Sequence, residues 1–123
     1  MWNTFDFEDG DLIEFYNDGN NIVMKLKHVE AKDQELVNGT LIFVNVKKLM
    51  IEEASSDEVS MYYKKGSILC MEKQANSILI VVEWTNYKTH EFKTIAYNIT
   101  AEKVNWNYQK TGLHYGDDLY NGT

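Results

Sequence analysis

Ile78-Leu79-Ile80-Val81-Val82-Glu83-Trp84 is the stretch that decides the fold class. Ile78, Ile80, Val82 and Trp84 occupy every second position. Successive side chains of a strand point to opposite faces, so this rhythm predicts a half-buried β-strand. Val104, Trp106 and Tyr108 repeat it with Lys103, Asn105 and Asn107 on the other side, and Ile22, Met24 and Leu26 repeat it again.

Outward from these runs, Asp11–Tyr16 and Asn21–Val29 read as strands separated by Asn17-Asp18-Gly19-Asn20. Asp-Gly between strands supplies the positive φ angles of a tight hairpin turn. Lys32–Asn38 is polar, and Asn38-Gly39 reads as a second turn before a strand over Thr40–Ile51. The centre of that strand, Leu41-Ile42-Phe43-Val44, is apolar on both sides, as in strands covered on both faces. Met61–Lys64 reads as a short strand, and Ser67–Lys73 with Ser77–Thr85 as a hairpin across Gln74-Ala75-Asn76. Glu91–Ile99 and Ala101–Gln109 complete the set. The apolar phase slips between Phe92 and Ile95, which predicts a β-bulge near Lys93 or Thr94.

The expected fold is therefore all-β. It is a single antiparallel sandwich or partly open barrel of about seven to eight strands. At most one short helix fits, over residues 52–60 with Ser56 as its cap. Residues 1–110 form the β domain, and residues 111–123, rich in Gly and Asp, form a polar C-terminal tail. Trp84 and Trp106 fall on apolar faces and are expected in the core.

A chain of 123 residues has the size of one domain, and 44% hydrophobic residues can build its core. The net charge is −7, and the basic side is Lys alone, since the chain has no Arg. Arg is the side chain suited to bidentate recognition of phosphate and base edges, and acid repels a phosphate backbone or an anionic membrane. Neither nucleic acid nor membrane is an expected partner. The acid is concentrated in Asp6, Glu8, Asp9, Asp11 and Glu14 near the start and in Glu52, Glu53, Asp57 and Glu58 further on. A basic protein is the partner such clusters fit. Nothing requires a homodimer.

The lone cysteine, Cys70, lies in Ile68-Leu69-Cys70-Met71 and reads as a buried free thiol with no internal disulfide to form. Met1-Trp2-Asn3-Thr4-Phe5-Asp6 lacks the basic and apolar regions of a signal peptide. No apolar run approaches the ~20 residues that span a bilayer, so a cytoplasmic location is expected.

Asp6-Phe7-Glu8-Asp9-Gly10-Asp11 is dense in carboxylates, but its spacing is not that of an EF-hand loop. Gly10 falls where a ligand belongs, and no Glu closes the loop. His28, His90 and His114 are too far apart in sequence for a zinc signature. His28 continues the Ile22-Met24-Leu26 face and reads as half-buried and structural, with a backbone partner. Glu83, Glu91 and Glu102 stand singly opposite apolar neighbours, and neither a phosphate-binding loop nor a nucleophile elbow occurs. No catalytic residue, metal or cofactor is assigned. Tyr115 and Tyr120 beside Asp117 and Asp118 combine rings and carboxylates suited to a cationic partner.

Phe7-Glu8-Asp9-Gly10-Asp11-Leu12, the turn at Asn17–Asn20 and Ile22-Val23-Met24-Lys25-Leu26 together resemble the opening of certain small bacterial β-proteins. Those open with a Phe-His-Asp-type turn, and Glu8 stands in place of the His. Gly39-Thr40-Leu41-Ile42-Phe43-Val44-Asn45-Val46 and Ala101-Glu102-Lys103-Val104-Asn105-Trp106 fit the same layout. Several such families are immunity proteins of polymorphic toxin systems, which neutralise a toxin in the cytoplasm. The resemblance implies a small non-catalytic protein and transfers no functional residue.

The expectation is thus a protein-binding domain whose acidic surface (Asp6, Glu8, Asp9, Asp11, Glu52, Glu53, Asp57, Glu58) meets a basic toxin domain, with exposed Tyr residues as anchors. Two alternatives stand beside it. One is a small-ligand-binding barrel with an aromatic-lined interior, and the other is an enzyme with a dispersed carboxylate and His site.

Overall fold

The computed structural model describes residues 4–114. Eight strands succeed one another: β1 (Phe5–Asp6), β2 (Asp11–Asp18), β3 (Asn21–Ala31), β4 (Glu35–Ile51), β5 (Ala54–Ser55), β6 (Lys65–Lys73), β7 (Ile78–Asn86) and β8 (Glu91–His114). They form one antiparallel sheet in the order β1-β3-β2-β6-β7-β8-β4-β5, and an added β3–β4 pairing joins six of them in a ring. The all-β expectation holds, and the arrangement is the partly open barrel. Among the described residues no helix is long and apolar enough to cross a membrane.

Two long strands hold the ring together. β4 and β8 pair from Glu35↔His114 to Ile51↔Tyr97, while the first part of β4 also pairs with β3 and the first part of β8 with β7. Such long strands stay in a small ring by bending. A bulge supplies each bend by placing two residues opposite one. Lys47 is the extra residue in β4, Leu69 in β6 and Ile13 in β2, and Lys27 with His28 oppose Asn38 between β3 and β4. Closure between β2 and β6 is short, with only Asp11↔Ser67 and Leu12↔Gly66 in register.

The inward faces of all six ring strands meet in one apolar cluster that includes Leu12, Phe15, Met24, Phe43, Ile68 and Trp84. Trp84 is fully buried, and its indole N–H donates to the Tyr97 hydroxyl at 3.0 Å. Phe15 packs edge-on against the Tyr97 ring at 5.0 Å. This is how a buried Trp and Tyr avoid stranding their polar atoms. The Trp84 indole lies on Gly66, where an added Cβ would sit 3.0 Å from two ring carbons and 2.8 Å from Val82 Cγ1. A second aromatic group packs against this core. There Trp106 meets Phe5 at 5.7 Å and Phe7 at 5.0 Å and stacks on Tyr108. Trp106 is half-buried rather than a core residue, and its Nε1 is buried without a partner among the described residues.

Several local expectations are corrected. Asn38-Gly39 is not a turn but lies inside β4; the reversal comes earlier, where Gln34 N–H bonds the Ala31 carbonyl at 2.9 Å. Gly39 is there because Trp106 approaches so closely that a Cβ would sit 2.7 Å from the indole. Ile99 and Ala101 belong to one continuous β8. No bulge occurs at Lys93 or Thr94, because β7 and β8 pair without a shift from Asn86↔Glu91 to Ile78↔Ile99. The slipped phase arises because Phe92 faces outward, 64% exposed. Met61–Lys64 is not a strand, and residues 52–60 hold the two-residue β5 instead of a helical turn. Cys70 is half-buried beside the Leu69 bulge. β8 continues through Thr111–His114, where the Thr111 hydroxyl donates to the Leu36 carbonyl at 2.7 Å.

Burial, then the Glu52 carboxylate, push the Tyr97 phenol above its ordinary pKa of 10.0, against the opposing effect of the Trp84 hydrogen bond. The folded state therefore keeps a proton that the unfolded chain releases near pH 10, so this contribution to stability is intact below that pH and is lost above it. Tyr97→Phe should remove that part of the alkaline loss. It should also cost about 1–3 kcal/mol near neutral pH, because the Trp84 N–H is left unpaired. Urea unfolding of both proteins at neutral and alkaline pH measures both effects. Gly66→Ala should cost a similar ~1–3 kcal/mol through overpacking against Trp84.

Candidate functional site

The first acidic cluster is carried by the turn between β1 and β2. Asp6 Oδ1 accepts the Glu8 N–H at 3.0 Å, and Gly10 N–H bonds the Phe7 carbonyl at 3.0 Å. Asp9 adopts a positive φ of 67°, and its N–H donates to the Ile68 carbonyl at 2.8 Å. Ile68 N–H returns a bond to the Gly10 carbonyl at 3.0 Å. The turn is thereby fastened to β6, and it presents the exposed side chains of Asp6, Glu8 and Asp9 on a fixed backbone. None of the three forms an ion pair among the described residues. Asp6 also stands opposite Glu30 in the β1–β3 ladder, a like-charge pairing that disfavours the sheet.

Asp11 differs from its neighbours. Its Oδ2 lies 2.8 Å from His28 Nδ1 and its Oδ1 lies 4.0 Å from Lys65 Nζ, with only 16% of the side chain exposed. The β3 bulge makes this pairing possible by giving His28 a positive φ of 60°, and Asn38 Oδ1 accepts the His28 N–H at 3.1 Å. His28 is half-buried as expected, but its side chain has a carboxylate partner rather than a backbone one. Asp11 thus serves the β2–β6 closure, and its charge is largely used within the fold.

The second cluster lies after β4. Glu52 and Glu53 both have positive φ, 51° and 67°, and the Glu52 N–H donates to the Ala96 carbonyl at 2.9 Å. Beyond β5 the chain crosses to the far end of β2. Asn17 holds it there: its Oδ1 accepts the Val59 N–H at 2.7 Å and its Nδ2 donates to the Asp57 carbonyl at 3.4 Å. Val59 is buried in the core cluster, while Glu52, Glu53, Asp57 and Glu58 are exposed.

Asp11 and Asn17 mark the two acidic clusters on β2 and stand six residues apart, roughly 20 Å along a strand. The clusters are therefore two sites and not one face. Among the described residues, Tyr16, Tyr62, Tyr87 and Tyr108 are the exposed tyrosines. Tyr115, Tyr120, Asp117 and Asp118 lie outside the described residues. The core side chains of all six ring strands meet in the ring interior, and an aromatic concavity lies at the surface between Met61–Lys64 and Thr85–Lys88. Partial burial, then Glu91 and Tyr62, raise the Tyr63 phenol pKa at this place. No periodicity marks this concavity, because its walls come from an irregular segment and a hairpin turn. Glu30 is likewise visible as part of the acidic patch only once the β1–β3 register is known.

Comparison with protein-family models, with curated proteins and with solved structures finds no match.

Asn17→Ala should release the 57–59 segment while leaving the ring closed. Stability should fall by about 1–2 kcal/mol, as when a buried N–H loses its acceptor. Hydrogen exchange followed by NMR should show the Val59 amide exchanging far faster than amides in β7. Unchanged protection at Val59 would mean that Asn17 does not hold the segment.

Proposed function

We propose that the protein is a non-catalytic binding domain that engages a basic protein through the acidic turn before β2. The observation that carries this reading is the state of Asp6, Glu8 and Asp9. They are exposed, form no ion pair among the described residues and are mounted on a turn pinned to β6, with Glu30 adding like charge across the ladder. Acids serving only solubility gain nothing from such crowding, whereas a patch of one sign raises the encounter rate with an opposite patch and rejects wrong partners. Asp11 supports the turn rather than the contact. The second cluster, Glu52, Glu53, Asp57 and Glu58, is a separate surface for the same partner or another.

A basic toxin domain neutralised in the cytoplasm is the partner class this reading names. The sequence resemblance to bacterial immunity proteins supports that choice, and so do the small all-β fold and the acidic balance. Covering the cationic active site of a nuclease is an action such a surface suits.

The test is a tagged pull-down from the source organism at low and high salt. It uses the native chain and the Asp6→Asn, Glu8→Gln, Asp9→Asn triple variant side by side. The expected result is one stoichiometric basic partner, released by salt and recovered poorly or not at all by the variant. With that partner purified, the association rate should fall by about 10-fold or more in the variant and lose most of its salt dependence, while the dissociation rate changes less. Equal capture by both proteins at every salt concentration would reject the assignment.

A further inference from the structure

The irregular segment before β6 and the β7–β8 turn enclose a surface groove of about 540 Å³. Its walls are Met61, Tyr62, Tyr63 and Tyr87, with Lys64 and Lys88 among its lining residues. Tyr62 is 49% exposed and Tyr87 63%, so two large rings face solvent here, the first with its edge contact to Tyr63 at 4.7 Å. Lys65 stands 5.9 Å from the centre of the Tyr87 ring and extends the cationic rim. Aromatic walls with a few placed charges are the composition of binding sites of this size.

The charge of the groove is opposite to that of the molecule. In a chain of net charge −7, Lys64 and Lys88 form no ion pair among the described residues. Lys65 is shared only loosely with Asp11, at 4.0 Å. Glu91 stands beside the groove, where it acts on Tyr63 and accepts the Thr89 hydroxyl at 2.8 Å. Glu91 repels a carboxylate from the Tyr63 side and leaves the Lys64 and Lys88 side to receive it.

The backbone completes the pattern. Residues 60–63 enter no strand ladder and make no backbone turn bond among the described residues. Their N–H and C=O groups remain for the main chain of a bound peptide that follows the bend at Tyr62 and Tyr63. A rigid small anion would use the lysines and rings but not this row of amides.

We infer that this groove binds an acidic peptide segment of a partner protein, in which carboxylates flank an aromatic or long aliphatic side chain. The carboxylates meet Lys64 and Lys88, the apolar side chain lies between Tyr62 and Tyr87, and main-chain bonds form with residues 60–63. This surface is separate from the acidic turn and of opposite sign, so one domain presents two chemically distinct contacts.

The probe is a synthetic N-acetylated, C-amidated peptide of sequence Asp-Asp-Leu-Tyr-Asp, titrated into the isotope-labelled full chain. Saturable NMR shift changes are expected at Met61–Lys65 and Thr85–Lys88, with none at Glu8–Gly10. Lys64→Gln with Lys88→Gln should weaken binding roughly 3- to 10-fold, since each exposed charge pair contributes modestly. Tyr87→Ala should weaken it by a comparable factor or more, as expected for the loss of an aromatic anchor. The Asp6→Asn, Glu8→Gln, Asp9→Asn variant should bind the peptide as the native chain does, which separates this inference from the proposed function. Three outcomes would overturn it: no shift in the groove at millimolar peptide, equal binding of the peptide with Lys for Asp, or equal binding of free N-acetyltyrosine. The last would assign the groove to a small aromatic anion. The Lys variants alter only exposed side chains, and matching thermal melts confirm that a loss of binding is local.

Discussion

Closure of the ring rests on the contact between Trp84 and Gly66. β6 must pass close enough to β2 to exchange two pairs of residues and close enough to β7 to leave room for a fully buried indole. A side chain at position 66 would occupy the volume that the indole and Val82 already fill. Protein interiors are packed too densely to absorb such a group without displacement. Trp84 is in turn fixed by Tyr97 from β8, and Tyr97 by the edge of Phe15 from β2. Residues from β2, β6, β7 and β8 therefore meet at one point inside the ring.

The surfaces follow from how short the closure is. β2 and β6 pair only through their first residues, which leaves an open stretch along β2 beyond Leu12. Residues 56–64 fill it, with Val59 buried and Met61 and Tyr63 packed alongside. A segment that serves as a plug is not part of a ladder, so its outer side is free to carry Glu58 at one end and Tyr62 with Lys64 at the other. The acidic turn before β2 covers the closed end of the same seam. Both candidate contacts thus lie where the sheet is least regular, as is usual for functional segments on a rigid frame.

The sequence shows the strands more clearly than their partners. β2, β3, β6 and β7 stand close to where alternation puts them, and Asp18-Gly19 makes the expected hairpin with Gly19 at φ 60°. Alternation reads a face, however, and cannot tell why a glycine is present. Asn38-Gly39 looks like a turn in sequence, but the glycine makes room for an indole more than sixty residues away. The continuity of β8 is hidden for a related reason. Its two halves pair with different strands, so the local pattern resembles two strands. Among the candidate contacts, the exposure of the two acidic runs is legible. The engagement of Asp11 is not, since it depends on a bulge in β3 that turns His28 toward it. The tyrosine groove depends on bringing two irregular segments together, and neither has a period to read.

The length of β8 has a consequence for synthesis of the chain. β4 has no outer neighbour along its first half until residues 104–114 have been made, because those residues are its partners. When they are still in the ribosome, β2 and β3 can already form their hairpin, yet Leu41 and Phe43 lack the strand that borders them. At about 5–20 residues per second the emerging chain spends seconds with that edge unpaired. Unpaired apolar edges are the places where nascent β-proteins join one another. The polar residues alternating along this edge, Asn38, Thr40 and Asn45, and the Lys47-Lys48 pair beyond them make it a poorer template during that interval.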